Sequence, residues 1–191
     1  MKSLTEPEII KKAIDGDRWA FRLLVERHQS LVYSVSYRFL SDKADAEDAT
    51  QEVFVRLWNN LSKYRSEIKL STWLYKITTN FCLDVLRSKH SRQLRQSRAI
   101  EQHEDVISEL SADQFILNEE LRAVILNMAD VLTPKQKVIF VLRDLEELTV
   151  KEVCEILSMS EGNIKSNLYY ARLKMSELIT QYYGERKKET P

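Results

Sequence analysis

The chain has 191 residues, room for one domain or two small ones, and its 43% hydrophobic and 30% charged side chains are those of an ordinary soluble protein. Its 29 basic side chains are matched by 29 acidic ones, so no overall charge draws it to nucleic acid, and no run of about eighteen apolar residues is present to cross a membrane. Three glycines, three prolines and few period-two runs argue against a sheet and predict an all-α protein.

In chain order, the opening M-K-S-L-T-E-P-E has no apolar stretch of signal-peptide type, which leads to the expectation of a cytoplasmic protein. Helices are predicted at 6–14, 17–40, 43–61, 71–93, 114–131, 134–144, 150–157 and 161–182. Their starts are punctuated. Thr5 with Glu8, Thr133 with Gln136 and Thr149 with Glu152 read as capping boxes, Pro134 suits a first helical position, and Ser71 and Ser160 read as N-caps. Two helical domains are expected, at 1–93 and 119–184. Residues 94–118, polar and without an apolar stripe, read as a flexible linker with at most a short helix near 105–110, and residues 185–191 as a frayed tail.

Charge is unevenly distributed. Residues 1–93 carry 16 basic against 12 acidic side chains, and Arg87, Lys89, Arg92, Arg95 and Arg98 crowd together with His90 among them. Such a cluster attracts phosphate whatever the net charge; it also suits a helix C-terminus. Cys82 and Cys154 lie far apart among apolar neighbours and read as small buried side chains. No Cys/His cluster points to a metal, no Gly-rich loop to a nucleotide, and no cofactor is expected.

Within 43–61, Ala46, Ala49, Val53 and Leu57 form a core-facing stripe. Asp45, Asp48 and Glu52 share another face, beside Glu47 and Gln51. Acids in a first turn are favoured by the helix dipole, but that does not account for Glu52, and so many carbonyl-bearing side chains together call for a cationic partner. The helix from Ser71 carries Leu74, Ile77, Phe81 and Val85 as its core stripe. Opposite run Trp73, Lys76, Asn80, Asp84 and Arg87, a line of aromatic, amide and cationic groups that suits a single DNA strand. Tyr64 precedes it, placed to wall a pocket for an extruded base.

Near the C-terminus, T-V-K-E-V-C-E-I-L-S-M-S-E-G-N-I-K-S-N-L-Y-Y-A-R, 149–172, reads as a helix-turn-helix. Ile164, Leu168, Ala171, Met175 and Leu178 face inward. Gly162, Lys165, Ser166 and Tyr169 face outward, with Tyr170 at the edge. Ser158 stands in the turn, where a left-handed backbone costs a non-glycine residue about 1 kcal/mol.

These motifs together resemble the extracytoplasmic-function class of bacterial sigma factors, over nearly the whole chain. D-A-E-D-A-T-Q-E-V-F-V-R-L-W, 45–58, is similar to the segment that docks on the β′ coiled coil of RNA polymerase; the resemblance implies that Asp45, Asp48, Gln51, Glu52, Phe54 and Trp58 bind polymerase. T-W-L-Y-K-I-T-T-N-F-C-L-D-V-L-R, 72–87, is similar to the reader of the promoter −10 element. It implies contacts from Tyr64, Thr72, Trp73, Lys76, Asn80, Asp84 and Arg87 and capture of a flipped base, which costs a few kcal/mol of unstacking. L-T-P-K-Q-K-V-I-F-V-L-R, 132–143, resembles the family's lead-in to the −35 reader, with Lys137 where Arg is usual. Gly162, Lys165, Ser166, Tyr169, Tyr170 and Arg172 are then implied −35 contacts, while Ser158, Asn167 and Tyr170 depart from the family's usual Gly and basic residues.

The implied partners are core RNA polymerase, through the β′ coiled coil and β flap, promoter DNA and an anti-sigma factor. No catalytic residue is required of the chain itself. A response regulator would need an α/β receiver domain in front, for which the N-terminal half shows no strands. A helical adaptor that never opens DNA leaves the line from Trp73 to Arg87 without a purpose.

Overall fold

The computed structural model describes residues 4–97 and 124–189, and every regular element among them is helical. Helices α1 (Glu6–Ile14), α2 (Arg18–Leu40), α3 (Lys43–Asn60) and α4 (Leu70–Ser97) come first, with a 3₁₀ turn at Leu61–Lys63 between α3 and α4. After the gap, α5 is helical at 124–129, followed by α6 (Pro134–Phe140), a π-helical stretch (Val141–Leu145), α7 (Val150–Leu157) and α8 (Glu161–Glu189). The chain divides within α4, after Cys82, into two compact units, with Glu155–Ser158 grouped with the first.

The three capping boxes form. The Thr5 amide donates to Glu8 Oε2 at 2.8 Å, that of Thr133 to Gln136 Oε1 at 3.2 Å, and that of Thr149 to Glu152 Oε2 at 2.8 Å. Each pair satisfies orphan donors at a helix start, which is why sequence alone located these ends. Asp17 caps α2 and Asp42 caps α3 through side-chain bonds to backbone amides.

Helix α4 differs from expectation at both ends. The Trp73 amide already bonds to Lys69 O at 3.2 Å, so Ser71 lies inside the first turn and not at the cap. At the far end the helix continues past residue 93 to Ser97, four residues into the expected linker; residues 98–118, including the suggested helix at 105–110, lie outside the described residues. Helix α8 likewise runs to Glu189 and includes residues read as a frayed tail.

The first unit buries Ile9, Ile10 and Ala13 of α1 against Leu24 and Val32 of α2, Val53, Phe54 and Leu57 of α3, Leu61, and Leu70 and Leu74 of α4. Helix α1 is fastened to α2 by His28 Nε2 and Glu6 Oε1 at 2.8 Å and by Arg27 donating to Leu4 O at 3.2 Å. The buried line of α4 is Leu70, Leu74, Thr78 and Cys82 at steps of four, with Thr79 beside it. Ile77, Phe81 and Val85, expected at its centre, are half-buried on its flank. Cys154 is also half-buried.

In the second unit, Ala129, Leu132, Phe140, Ala171 and Met175 form the core. Lys137 is 1% exposed and its ammonium is paired with Asp130. The predicted helix 134–144 is α-helical only to Phe140. Beyond it the ladder widens, with Glu146 N bonding to Val141 O at 2.9 Å, and Arg143 donates to Leu148 O. No described helix is long and apolar enough to cross a membrane, and no group of three or more metal-type ligands occurs among the described residues.

Candidate polymerase and nucleic-acid surfaces

On α3, the stripe that packs inward is Ala46, Ala49, Val53, Phe54 and Leu57. Phe54, expected as a docking residue, is therefore a core residue, 7% exposed; the i, i+1 step beyond Val53 widens the buried face around it. Asp48 and Gln51 are exposed, and Asp45 and Glu52 are half-exposed. Glu52 accepts from Arg56 Nε at 2.8 Å, and the Arg56 guanidinium lies 4.8 Å from the Phe81 ring centroid. Glu52 thus ties the face to α4 as well as adding charge to it. Trp58 is 38% exposed and meets Phe21 edge-on at 4.7 Å, and Val55, which sequence reasoning passed over, is 53% exposed between the acids and Trp58. Its signal was its position, four residues beyond Gln51. The result is an acidic ridge with an apolar end.

The loop between α3 and α4 makes a concavity of about 420 Å³, lined by Lys63, Tyr64, Arg65, Glu67, Ile68 and Trp73. The Tyr64 hydroxyl donates to Ile68 O at 2.7 Å and closes the loop on itself. Burial first, then the carboxylates of Glu6 and Glu67, raise the Tyr64 phenol above its ordinary value, which keeps the proton in that hydrogen bond. Its ring lies 5.4 Å from Trp73 at 34°. Trp73 is half-buried at the edge of the α4 core face. Beyond it Thr72 and Lys76 are half-exposed, and Asn80, Asp84 and Arg87 are exposed, the last two paired at 3.7 Å. Lys63, Arg65, Glu67 and Ile68 were not foreseen. Lys63 ends the 3₁₀ turn and the others lie in the irregular loop after it, where no helical spacing marks them.

In the helix-turn-helix, Ser158 has φ 52°, the left-handed conformation expected of the turn, and Met159 N bonds to Cys154 O at 3.2 Å. Ser160 stands at the N-cap position of α8, its carbonyl accepting from Ile164 N at 3.1 Å. Gly162, Lys165, Ser166, Tyr169, Tyr170 and Arg172 are all exposed on α8. A Cβ at Gly162 would meet nothing within 4 Å, so the backbone there is open to close approach. The charged members are already paired. Lys165 Nζ lies 2.6 Å from Glu161, whose carboxyl that bond holds below the ordinary carboxylate range. Arg172 donates to both Asp144 oxygens, Nε at 2.9 Å and Nη2 at 2.5 Å, and this hydrogen bonding raises its pKa further. That fork joins α8 to the π-helical stretch.

Two family descriptions match the chain: sigma-70 region 2 over residues 24–92 and sigma-70 region 4 over residues 122–175. Among curated proteins, an ECF RNA polymerase sigma factor of Bacillus subtilis, SigW, is 28% identical over 85% of this chain and 90% of its own length. The ECF RNA polymerase sigma-E factor of Escherichia coli K12 is 28% identical over 90% of this chain and 92% of its own. Two solved structures share the fold. One is CnrH in complex with the cytosolic domain of CnrY, TM-score 0.63 and 19% identity, covering 91% of this chain and 96% of that one. The other is the sigma factor RpoE of Bartonella quintana with the anti-sigma factor NepR, TM-score 0.61 and 19% identity, covering 84% and 96%.

Proposed function

Taking as premise that the chain belongs to the extracytoplasmic-function RNA polymerase sigma factors, we propose that its three surfaces divide the work of transcription initiation. The chain acts as a sigma factor, directing core polymerase to promoters and assisting melting. Residues 1–93 form the docking and −10 module and residues 119–184 the −35 module. The protein does no chemistry of its own; polymerase supplies that, in the cytoplasm.

The acidic ridge of α3, through Asp48, Gln51, Glu52, Val55 and Trp58, docks on polymerase. Exposed acids give charge complementarity, while Val55 and Trp58 supply apolar area to bury. The Tyr64–Trp73 concavity receives an extruded base, and Thr72, Lys76, Asn80 and Arg87 guide the strand. Stacking there, worth about 1–3 kcal/mol per base, offsets the unstacking cost of extrusion. Helix α8 reads the upstream element, with Lys165 exchanging Glu161 for a phosphate. The observation that carries this reading is the concavity beside an outward amide and cations on one helix, a combination that duplex-binding regulators do not need. An anti-sigma factor is a further expected partner, since both solved structures of this fold hold a bound protein, in one case the anti-sigma factor NepR.

Photocrosslinking tests the assignments. With p-benzoylphenylalanine at Gln51, holoenzyme should crosslink to the β′ subunit; with the label at Lys76, to the non-template strand. Crosslinks from both positions to one partner would overturn the division of labour.

A further inference from the structure

Within α8, the side chains most directly opposed to the buried stripe of Ile164, Leu168, Ala171 and Met175 belong to Ser166, Tyr169 and Leu173, with Gly162 one turn ahead. Tyr169 is 63% exposed and Leu173 48%, and Tyr170 flanks them at 57%. Three of the polar groups around them are engaged within the protein. Lys165 holds Glu161, Asn167 donates to Asn163 through two bonds at 2.8 and 2.9 Å, and Arg172 is forked onto Asp144.

A recognition helix reads base edges by hydrogen bonds or by apolar contact. Here the amide and the cations are tied, and outermost, beside the Ser166 and Tyr169 hydroxyls, stand an aromatic ring and an isobutyl group. The major groove offers such groups one complement, the C5-methyl of thymine. Four residues span about 6 Å of helix, and two base steps about 6.8 Å, so Tyr169 and Leu173 are spaced to meet two nearby methyls. Lys165 remains suited to phosphate, because an exposed pair with Glu161 is worth little and exchanges readily. We propose that Tyr169 and Leu173 are specificity-determining residues that recognise thymine methyl groups in the upstream promoter element. The proposal rests on the reading of α8 as the recognition helix.

The test uses the full chain assembled with bacterial core polymerase. Holoenzyme first selects its upstream element from duplexes randomised over that region. Each selected thymidine is then replaced singly by deoxyuridine, which removes the methyl and leaves every hydrogen-bonding group. Closed-complex affinity should fall about fourfold at each of one or two positions, and about fifteenfold when both are replaced. Leu173→Ala and Tyr169→Ala should each abolish the discrimination at one position while still binding the thymidine and deoxyuridine duplexes alike. An upstream element that is enriched but indifferent to deoxyuridine, or discrimination that survives both variants, overturns the methyl readout and leaves the patch to a protein partner. Absence of any upstream enrichment overturns the recognition-helix reading itself, and the proposal with it.

Discussion

Replacing Trp73 by alanine should slow promoter opening while leaving the protein folded. The indole is half-buried against Tyr64 and the first core. An aromatic side chain of this kind buries about 150–250 Å², so half of it, roughly 100 Å² at about 25 cal/mol per Å², sets a folding cost near 2.5 kcal/mol. A domain of ordinary stability, about 5–15 kcal/mol, survives that loss. A lost base stack costs a further 1–3 kcal/mol in the open complex, or about 5- to 150-fold in opening. Asn80→Ala, at an exposed position, should cost the fold less than about 0.5 kcal/mol and slow opening as well. Leu24→Ala is the control: fully buried in α2, it costs about 2–5 kcal/mol of stability without touching the concavity. Urea denaturation gives the stabilities, and permanganate reactivity of unpaired thymines gives opening, on duplex promoters and on templates already unpaired across the −10 element. The defects of Trp73→Ala and Asn80→Ala should shrink on the unpaired template. Wild-type opening by both variants, or an equal defect in Leu24→Ala, would refute the assignment.

Asp48→Lys should reduce polymerase affinity at least tenfold with little change in stability, measured by competition with another sigma factor. Glu52→Lys should do the same but also lose about 0.5 kcal/mol of stability, because it breaks the Arg56 pair and places like charges four residues apart; identical stabilities would count against that role of Glu52. Ser158→Gly relieves a left-handed non-glycine residue and should stabilise the helix-turn-helix by about 1 kcal/mol, read as a shift in the denaturation midpoint. Hydrogen bonds from the Thr5 backbone and side chain hold Glu8 below the ordinary carboxylate range. A lowered folded pKa means that the stabilisation of α1 is present above the ordinary value and lost as pH falls through the folded one. Amide exchange at Thr5 should therefore quicken on acidification beyond its intrinsic pH dependence, and Glu8→Gln should remove that extra sensitivity.

Much of the architecture was legible because local chemistry and tertiary packing agree. Thr5, Thr133 and Thr149 each sit three residues before the acid or amide that completes a box, and the α3 and α8 stripes follow helical spacing. Disagreement arose where polar residues are buried. Thr78, Thr79 and Lys137 carry no hydrophobic signal, yet each is at most 1% exposed; with the two threonines inside, the core face of α4 lies farther from Phe81 than apolar spacing implies. The widening at Val141–Leu145 was invisible because V-L-R-D-L reads as ordinary helix; its geometry goes with tertiary bonds from Arg143 to Leu148 and from Arg172 to Asp144. The candidate sites were legible as faces but not as states: spacing puts Lys165 and Arg172 outward, while their engagement with Glu161 and Asp144 depends on rotamers and, for Asp144, on tertiary packing.

Run-off transcription tests the central claim most directly. Purified core polymerase, this chain and a library of duplex templates randomised across the −35 and −10 regions are combined, and transcripts are sequenced back to their templates. The account predicts transcripts with one start position and two enriched upstream elements, seen only when the chain is present and lost with Asp48→Lys. Chain-dependent binding to duplex DNA without sequence-specific transcripts would contradict it.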